Sequence, residues 1–174
     1  MPSTLPNTLK MNQAVPDFSL PDQTGGVHRL RDYQGKIVIV NFFSAECPWS
    51  ERADRSLAAL SERFPGQMVV LTIASNANES EALINEAIHQ RGLSLVLRDA
   101  DGRLADLWQA QTTPHVFVID PAGLLRYRGA VDDVTFRKRT PEHFHVEAAV
   151  EAILGGRRPK IQETPPCGCT IVRL

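Results

Sequence analysis

Cys47 lies where a predicted strand meets a predicted helix, within FFSAECPWSERAD at residues 42–54. The N-terminus of a helix exposes backbone N–H groups without partners and the positive end of the helix dipole, which together stabilise a thiolate. The pKa of such a cysteine can fall from about 8.5 to between roughly 3.5 and 7.5, and the thiolate is the nucleophilic form. Pro48 suits the first helical turn because it has no N–H, and Trp49 can shield the sulfur from water. The spacing therefore predicts a reactive monothiol, with a small buried hydrophobe at a strand end as the alternative interpretation.

A second feature is the sequence Thr112-Thr113-Pro114-His115, which directly precedes a predicted buried strand. A proline that opens a strand cannot donate to the ladder, and X-Pro bonds are where cis peptides occur. The alternative is a trans proline that simply starts the strand. His115 follows within the strand, where alternation with its neighbours favours a structural role over that of a general base.

A third feature is the C-x-C pair Cys167 and Cys169 in PPCGCTI at residues 165–171, a segment rich in proline and glycine. A sulfenic acid or mixed disulfide on Cys47 needs a second thiol to resolve it, which either tail cysteine can supply if the tail folds back. The long separation costs little, because the entropy of loop closure grows only logarithmically. We favour Cys169 over Cys167 as the resolving thiol. The alternatives are that the tail thiols are incidental or pair only with each other.

Strands that must position these residues are predicted from runs of β-branched and aromatic residues. IVIVNFF and MVVLTIA are nearly unbroken, which is typical of strands buried on both faces of a sheet. The predicted strands are 37–43, 68–74, 93–97, 115–120 and 124–129. The last two flank Pro-Ala-Gly and predict a hairpin.

Amphipathic segments between the strands predict four helices. The first follows Cys47 and has an apolar stripe at Ala53, Leu57, Leu60 and Phe64. The second has a capping box of Asn78 and Glu81 and a stop at Gly92. The third is short, over 103–110, and the last is capped by Thr140 and opened by Pro141. Alternation of strands and helices implies parallel strands, and the hairpin adds antiparallel ones. We therefore expect an α/β fold with a mixed central sheet and helices on both faces.

Composition bounds the class of protein. The 174 residues are 43% hydrophobic and 22% charged, with a formal net charge of -1, so neither nucleic acid nor a membrane is expected as a partner. No secretory signal or spanning run is seen, and a cytoplasmic location is expected. Three cysteines there indicate catalytic, redox or metal-binding thiols rather than a disulfide scaffold. The predicted organisation is an irregular segment over 1–13, one domain over 14–156 and a tail over 157–174.

Two longer stretches, NFFSAECPWS after a buried strand and TTPHVFVIDPAG further on, resemble the corresponding parts of the thioredoxin fold. With PDFSL at 16–20 and DYQGKIVIVNFF at 32–43, the chain is similar to the redoxin branch. That branch comprises the alkyl hydroperoxide reductase/thiol-specific antioxidant group and its membrane-anchored thiol-disulfide reductase relatives. The resemblance implies that Cys47 is the attacking thiol, that Pro114 is cis and close to it, and that the backbone of Thr113 binds substrate.

Two departures from the family patterns bear on the chemistry. Thioredoxin-type reductases carry C-x-x-C, but the second cysteine position here is Ser50, so a dithiol within one helical turn is impossible. Peroxiredoxins carry P-x-x-x-T/S-x-x-C, in which Ser44 matches the hydroxyl position while Asn41 stands in place of the proline. The alternative for Ser44 is a satisfied hydroxyl at a strand end.

These features predict a thiol-dependent antioxidant oxidoreductase, peroxiredoxin-like, that uses no cofactor and no metal. Cys47 reduces a peroxide, a tail cysteine resolves the product, and an external thiol donor such as a thioredoxin completes the cycle. Reduction of protein disulfides is the alternative reaction, and a non-enzymatic binding or copper-chaperone module is the alternative class. The residues expected to contact substrate are Ser44, Pro48, Trp49, Ser50, Thr113 and Pro114.

Overall fold

The computed structural model describes residues 9–174, so most of the predicted irregular segment 1–13 lies outside the described residues. The strands are β1 (Ser19–Pro21), β2 (Val27–Arg29), β3 (Ile37–Phe43), β4 (Met68–Ala74), β5 (Val96–Arg98), β6 (Thr112–Thr113), β7 (His115–Ile119), β8 (Leu125–Gly129) and β9 (Cys169–Thr170). The α-helices are α1 (Pro48–Arg63), α2 (Glu81–Arg91), α3 (Arg103–Leu107) and α4 (His145–Leu154), with a 3-10 helix at Leu30–Tyr33. Within residues 9–174, no helix combines the length and the apolar character that crossing a bilayer requires.

Five strands form the central sheet, in the order β5-β4-β3-β7-β8. β3, β4 and β5 are parallel to one another, β7 pairs antiparallel with β3, and β8 pairs antiparallel with β7. Phe42 of β3 pairs with His115 of β7, so the start of β7 lies beside the end of β3. This register brings Pro114, which precedes β7, to the segment that leads into Cys47. The predicted mixed sheet is confirmed.

Alternate residues of β3 pack on opposite faces of the sheet, as strand geometry requires. Ile39 belongs to a cluster with Leu57 of α1 and Val150 of α4. Val40 belongs to the opposite cluster, with Leu104 at the start of α3. Full burial of an aliphatic side chain contributes about 1.5–3 kcal/mol, so these two apolar layers hold the sheet and its helices together. The prediction of helices on both faces is therefore confirmed.

The N-terminus of α2 differs from the predicted capping box of Asn78 and Glu81. The Ser80 hydroxyl accepts a hydrogen bond from the Leu83 N–H at 3.2 Å, which makes Ser80 the N-cap residue. Glu81 is already the first helical residue and cannot take the third position that a capping box needs. The predicted stop at Gly92 is confirmed, since this residue ends α2 with a left-handed φ of 63°.

The last helix begins later than predicted, at His145 rather than after Thr140. The backbone N–H of Glu142 donates to the Asp133 carboxylate at 2.9 Å, and the Asp133 N–H donates to the His143 carbonyl at 3.1 Å. These bonds tie the segment before α4 to the loop around residue 133. Its backbone groups are therefore used across the loop and not in a helical turn.

The tail, residues 157–174, packs against the rest of the fold at several points. Glu163 forms a parallel bridge with Arg128 of β8, and β9 pairs with β6. Ile171 is 3% exposed and belongs to the same core cluster as Val40. This segment, rich in proline and glycine, is thus held on both sides of its cysteines.

Candidate active site

Cys47 is the N-cap residue of α1 and Pro48 its first residue, as predicted. The Cys47 carbonyl accepts the first bond of the helix from the Glu51 N–H at 3.1 Å. Cys47 is only 3% exposed, in agreement with the alternative interpretation as far as burial goes. Its sulfur, however, is bonded to the sulfur of Cys169 and lies 3.3 Å from the Thr113 carbonyl oxygen. The thiol position therefore faces another sulfur and a polar backbone group.

The loop before β7 stands directly against this sulfur. The peptide bond between Thr113 and Pro114 is cis, in agreement with what the family resemblance implies. The Thr112 hydroxyl donates to the Pro114 carbonyl at 2.7 Å, which closes the loop on itself. Thr113 is 1% exposed, and its carbonyl is the polar group that faces Cys47.

Cys169 joins the tail to Cys47 through a disulfide whose Cα atoms are 6.3 Å apart, with a sequence separation of 122 residues. The two-residue strands β6 and β9 pair antiparallel, so that Cys169 stands opposite Thr113 and Thr170 opposite Thr112. Cys167 has no disulfide partner. The structure therefore brings the favoured tail cysteine to Cys47 and leaves the other one apart.

Gly168 allows the tail to lie this close to the cis-proline loop. A Cβ atom at this position would overlap the Thr113 carbonyl group and lie 3.0 Å from Cδ of Pro114. The middle residue of the C-x-C sequence must therefore lack a side chain if Cys169 is to reach Cys47 in this arrangement. The glycine is required by close approach and not by backbone conformation.

The two serines next to Cys47 are engaged in internal hydrogen bonds. The Ser44 hydroxyl donates to Glu79 at 2.5 Å, and the Ala45 N–H donates to the other oxygen of the same carboxylate at 3.1 Å. The Ser50 hydroxyl is fully buried and accepts from the Ser44 N–H at 2.9 Å. This geometry agrees with the alternative interpretation of Ser44 as a satisfied hydroxyl, and a substrate-binding role for either serine stays a prediction.

Sequence reasoning missed the charged residues that hold the segment before Cys47. Arg91, the last residue of α2, donates to the carbonyl oxygens of Ser44 at 3.0 Å and Ala45 at 2.7 Å. The same guanidinium contacts the Asp54 carboxylate at 3.0 Å. An available signal was Asp54 itself, an acidic residue four positions after Ser50 and three before Leu57 on the buried face of α1.

Burial raises the pKa of Asp54 to about 6, against the opposing effect of the Arg91 guanidinium. The second oxygen of this carboxylate is 3.5 Å from the Asn41 amide nitrogen. Desolvation disfavours the charged form of a carboxyl group, whereas an adjacent cation favours it. Near neutral pH the charged pair with Arg91 is present, and it positions the backbone that precedes the reactive sulfur.

An aromatic pair and an ion pair lie near Cys167, the tail cysteine outside the disulfide. The rings of Trp49 and Phe136 are in edge contact with centroids 4.8 Å apart, and Phe136 is 63% exposed. Arg52 contacts the Asp132 carboxylate at 2.6 Å. Burial raises the pKa of the Cys167 thiol, and the Asp132 carboxylate raises it further, while Arg52 lowers it. A raised pKa reduces the thiolate fraction, which makes Cys167 a weaker nucleophile at neutral pH.

His115 fits the structural role predicted for it. Its Nδ1 atom accepts from the Gln111 N–H at 3.1 Å, so the ring must be neutral at that nitrogen. Burial lowers the pKa of His115 to about 4, with a further lowering by Arg128.

Possible metal ligands come together at one place in the described residues, where single ligand atoms of Asp133, Glu142 and His143 lie within 4.8 Å of one another. The Lys138 ammonium contacts Asp133 at 2.6 Å and Glu142 at 3.0 Å, so a positive charge already neutralises these carboxylates. The prediction that the protein uses no metal is not tested by this arrangement.

A mixed central sheet, a helix that begins at a cysteine and a cis-proline loop against its sulfur define a thioredoxin-like protein. Residues 11–128 match the AhpC/TSA family, and the chain belongs to that family. This confirms the family expected from the sequence.

Two relatives have curated names that describe thiol chemistry. The thiol-disulfide oxidoreductase ResA of Geobacillus kaustophilus is 28% identical over 116 residues, which are 65% of this chain and 65% of the relative. The match thus spans less than two-thirds of the length of that protein. The thiol:disulfide interchange protein DsbE of Pseudomonas aeruginosa is 30% identical over 144 residues, covering 79% of this chain and 77% of the relative.

Solved structures share the fold over a longer stretch. A hypothetical protein from Sinorhizobium meliloti superposes with a TM-score of 0.85 and 26% identity, covering 97% of both chains. The thioredoxin domain of a thiol-disulfide oxidoreductase from Bacteroides vulgatus superposes with a TM-score of 0.61 and 20% identity, covering 68% of this chain and 86% of that one. The second likeness shows the thioredoxin fold alone.

Proposed function

We propose that this chain is a thiol-disulfide oxidoreductase whose redox-active pair is Cys47 and Cys169. The observation that carries the proposal is the disulfide between the N-cap cysteine of α1 and the tail strand. Ser50 occupies the place of the second cysteine of C-x-x-C, and Cys169 supplies the missing sulfur from the other end of the chain. The names of the ResA and DsbE relatives support disulfide chemistry over the peroxide reaction expected from the sequence.

The proposed reaction is a pair of thiol-disulfide exchanges. The Cys47 thiolate, stabilised by the N-terminus of α1, attacks one sulfur of a substrate disulfide and expels the other as a thiolate. The Cys169 thiol loses its proton and attacks the Cys47 sulfur, which releases the second substrate sulfur. The substrate gains two electrons and two protons, and the Cys47–Cys169 disulfide forms. An external dithiol, such as a thioredoxin, then returns the pair to the reduced form.

Peroxide reduction is the second candidate, because a Cys47 sulfenic acid resolved by Cys169 would give the same disulfide. The family match supports it only broadly. Ser44 matches the hydroxyl position of the peroxiredoxin pattern, but its hydroxyl donates to Glu79. Asn41 stands where the pattern has proline, which gives the disulfide reaction the better support.

The deciding experiment compares the two oxidants in one assay. Oxidation of NADPH is followed with thioredoxin and its reductase as donor, with either a peptide disulfide or hydrogen peroxide as oxidant. We expect faster turnover with the disulfide, and a loss of about 10³-fold or more in Cys47→Ser, because removing a nucleophile has effects of that size. Faster turnover with peroxide, or turnover that persists in Cys47→Ser, would contradict the proposal.

The tail cysteines are separated by a matched pair of variants in the same assay. Cys169→Ser should lose multiple-turnover activity because the mixed disulfide on Cys47 is no longer resolved. Cys167→Ser should keep most of it. The reverse result would move the resolving role to Cys167. The predicted cytoplasmic location also stays a proposal, and fractionation of the producing cells tests it.

A further inference from the structure

The two cysteines of the disulfide differ in how far they are exposed. Cys47 is 3% exposed, whereas both residues of β9, Cys169 and Thr170, are exposed. The disulfide therefore has one covered end and one open end. An incoming protein thiol meets the tail strand before it meets α1.

Thiol-disulfide exchange has a directional requirement, because the attacking thiolate must approach the sulfur from the side opposite the bond that breaks. Cys47 is 3% exposed at the start of α1, and the Thr113 carbonyl oxygen lies 3.3 Å from its sulfur, which leaves little room for an incoming thiolate. Gly168 also lies tightly against Thr113 and Pro114 and closes the gap between tail and loop. Cys169 belongs to a strand whose two residues are both exposed, which leaves more room for attack there.

The leaving group favours the same direction. Attack on Cys169 expels Cys47, whose thiolate receives the positive end of the α1 dipole and the backbone N–H groups of its first turn. Attack on Cys47 would expel Cys169, which lies in a two-residue strand and is not itself the N-cap residue of a helix. A sulfur that is better stabilised as a thiolate leaves faster.

We propose that the external thiol donor attacks Cys169, so that the reducing mixed disulfide is carried by the tail and Cys47 is the leaving group. This inference rests on the proposed function and assigns a different partner to each cysteine. The substrate disulfide reacts at Cys47, and the reductant reacts at Cys169. In the first step the donor thiolate forms a bond to Cys169, the Cys47–Cys169 bond breaks, and Cys47 leaves as a thiolate. The second donor thiolate then attacks the donor sulfur, and Cys169 leaves and takes up a proton. The partner that fits this surface is a dithiol protein that can place one thiolate on an exposed strand.

The test traps the mixed disulfide with a one-cysteine donor. Oxidised Cys167→Ser protein, which retains only the reacting pair, is mixed with a thioredoxin variant whose resolving cysteine is serine. The reaction is quenched with acid at short times, unpaired thiols are alkylated, and peptides are mapped by mass spectrometry. We expect donor peptides on Cys169 and alkyl label on Cys47, in excess of the reverse pattern by about tenfold or more, since leaving-group stability governs the exchange. Donor peptides mainly on Cys47 would overturn the inference.

The outcome is separable from the proposed function. Full turnover with the disulfide substrate together with donor peptides on Cys47 would overturn the inference and leave the function in place. Donor peptides on Cys169 together with faster turnover on peroxide would support the inference and overturn the disulfide reaction. An equal distribution at the earliest times would also overturn the inference, because it would show that the two sulfurs are equally accessible.

Discussion

Arg91 at the end of α2 contacts Asp54 within α1 at 3.0 Å, and the two side chains are only 8% and 3% exposed. The same guanidinium holds the carbonyl oxygens of Ser44 and Ala45, the residues that lead into Cys47. A buried ion pair between two helices therefore fixes the backbone that presents the thiol. It links the packing of two helices to the chemistry at the start of one of them.

Removing one member of this pair should be costly. We expect Asp54→Ala to lower the free energy of unfolding by about 3–5 kcal/mol, because the charge of Arg91 is left buried without a carboxylate. The double variant Asp54→Leu/Arg91→Met should recover a large part of that loss. Chemical denaturation of the reduced proteins measures both.

The control for this prediction is Glu151→Ala, which removes an exposed partner of Arg63. The side chain of Arg63 is 49% exposed and that of Glu151 is 50% exposed. Its cost should stay below about 1 kcal/mol, as for other surface pairs. A loss in Asp54→Ala no larger than in this control would show that the buried pair does not hold the segment before Cys47.

Gly168→Ala should weaken the disulfide. The new Cβ would overlap the Thr113 carbonyl group, so the tail must move away from the loop in the oxidised form. Overpacking costs about 1–3 kcal/mol, which corresponds to a decrease of roughly 5- to 150-fold in the equilibrium constant for forming the Cys47–Cys169 bond. Equilibration in glutathione redox buffers, followed by alkylation and mass analysis, measures the constant.

Gly155→Ala is the matched control, since a Cβ there meets mainly the movable end of the Arg157 side chain at 3.3 Å. The equilibrium constant for forming the Cys47–Cys169 bond in Gly155→Ala should equal that of the wild type. An unchanged constant in Gly168→Ala as well would mean that the tail does not need its close approach to the cis-proline loop.

Ser50→Cys should make the tail cysteine dispensable. Residue 50 lies in the first turn of α1, where a thiol would complete C-x-x-C with Cys47. In the Cys169→Ser background we expect this change to restore turnover with a peptide disulfide to the same order as the wild type. Peptide mapping should find a bond between residues 47 and 50. Turnover that stays lost although this bond forms would show that Cys169 does more than resolve the mixed disulfide.

Protonation of His115 should lower the free energy of unfolding at acid pH. Its pKa is about 4 in the folded protein, below the ordinary value of 6.5, so the folded state binds fewer protons between these values. Stability from this group is complete above pH 6.5 and is lost as the pH falls toward 4, by about 2 kcal/mol at pH 4.5. Asp54 acts with the opposite sign, since its pKa is raised to about 6 and its contribution falls as the pH rises to that value.

Comparison with His115→Asn isolates the histidine, because Asp54 is present in both proteins and the asparagine oxygen can still accept from the Gln111 N–H. The difference in the free energy of unfolding between wild type and variant should shrink by about 2 kcal/mol from pH 7 to pH 4.5. A difference that stays constant over this range would show that His115 does not titrate with a lowered pKa.

Local sequence patterns were sufficient for the elements that present Cys47. The bounds of β3 and β4, the start of α1 at Pro48 and the end of α2 at Gly92 all agree with prediction. Each is determined by residues close together in the chain: an apolar run, a proline that suits a first turn, a glycine in a left-handed conformation. The fold class and the family followed from these same stretches.

Tertiary structure alone decided how the tail meets the site. Strands of two residues such as β6 and β9 have no periodicity to detect, and the spacing of the two tail cysteines gave no physical ground for the preference for Cys169. The choice of Cys169 depends on the register that places it opposite Thr113 and on the close approach of Gly168. The Arg91–Asp54 pair was likewise invisible, because its partners are 37 residues apart and meet only when two helices pack on the same sheet. Sequence determines what is local, whereas contacts between distant segments depend on how the whole core packs.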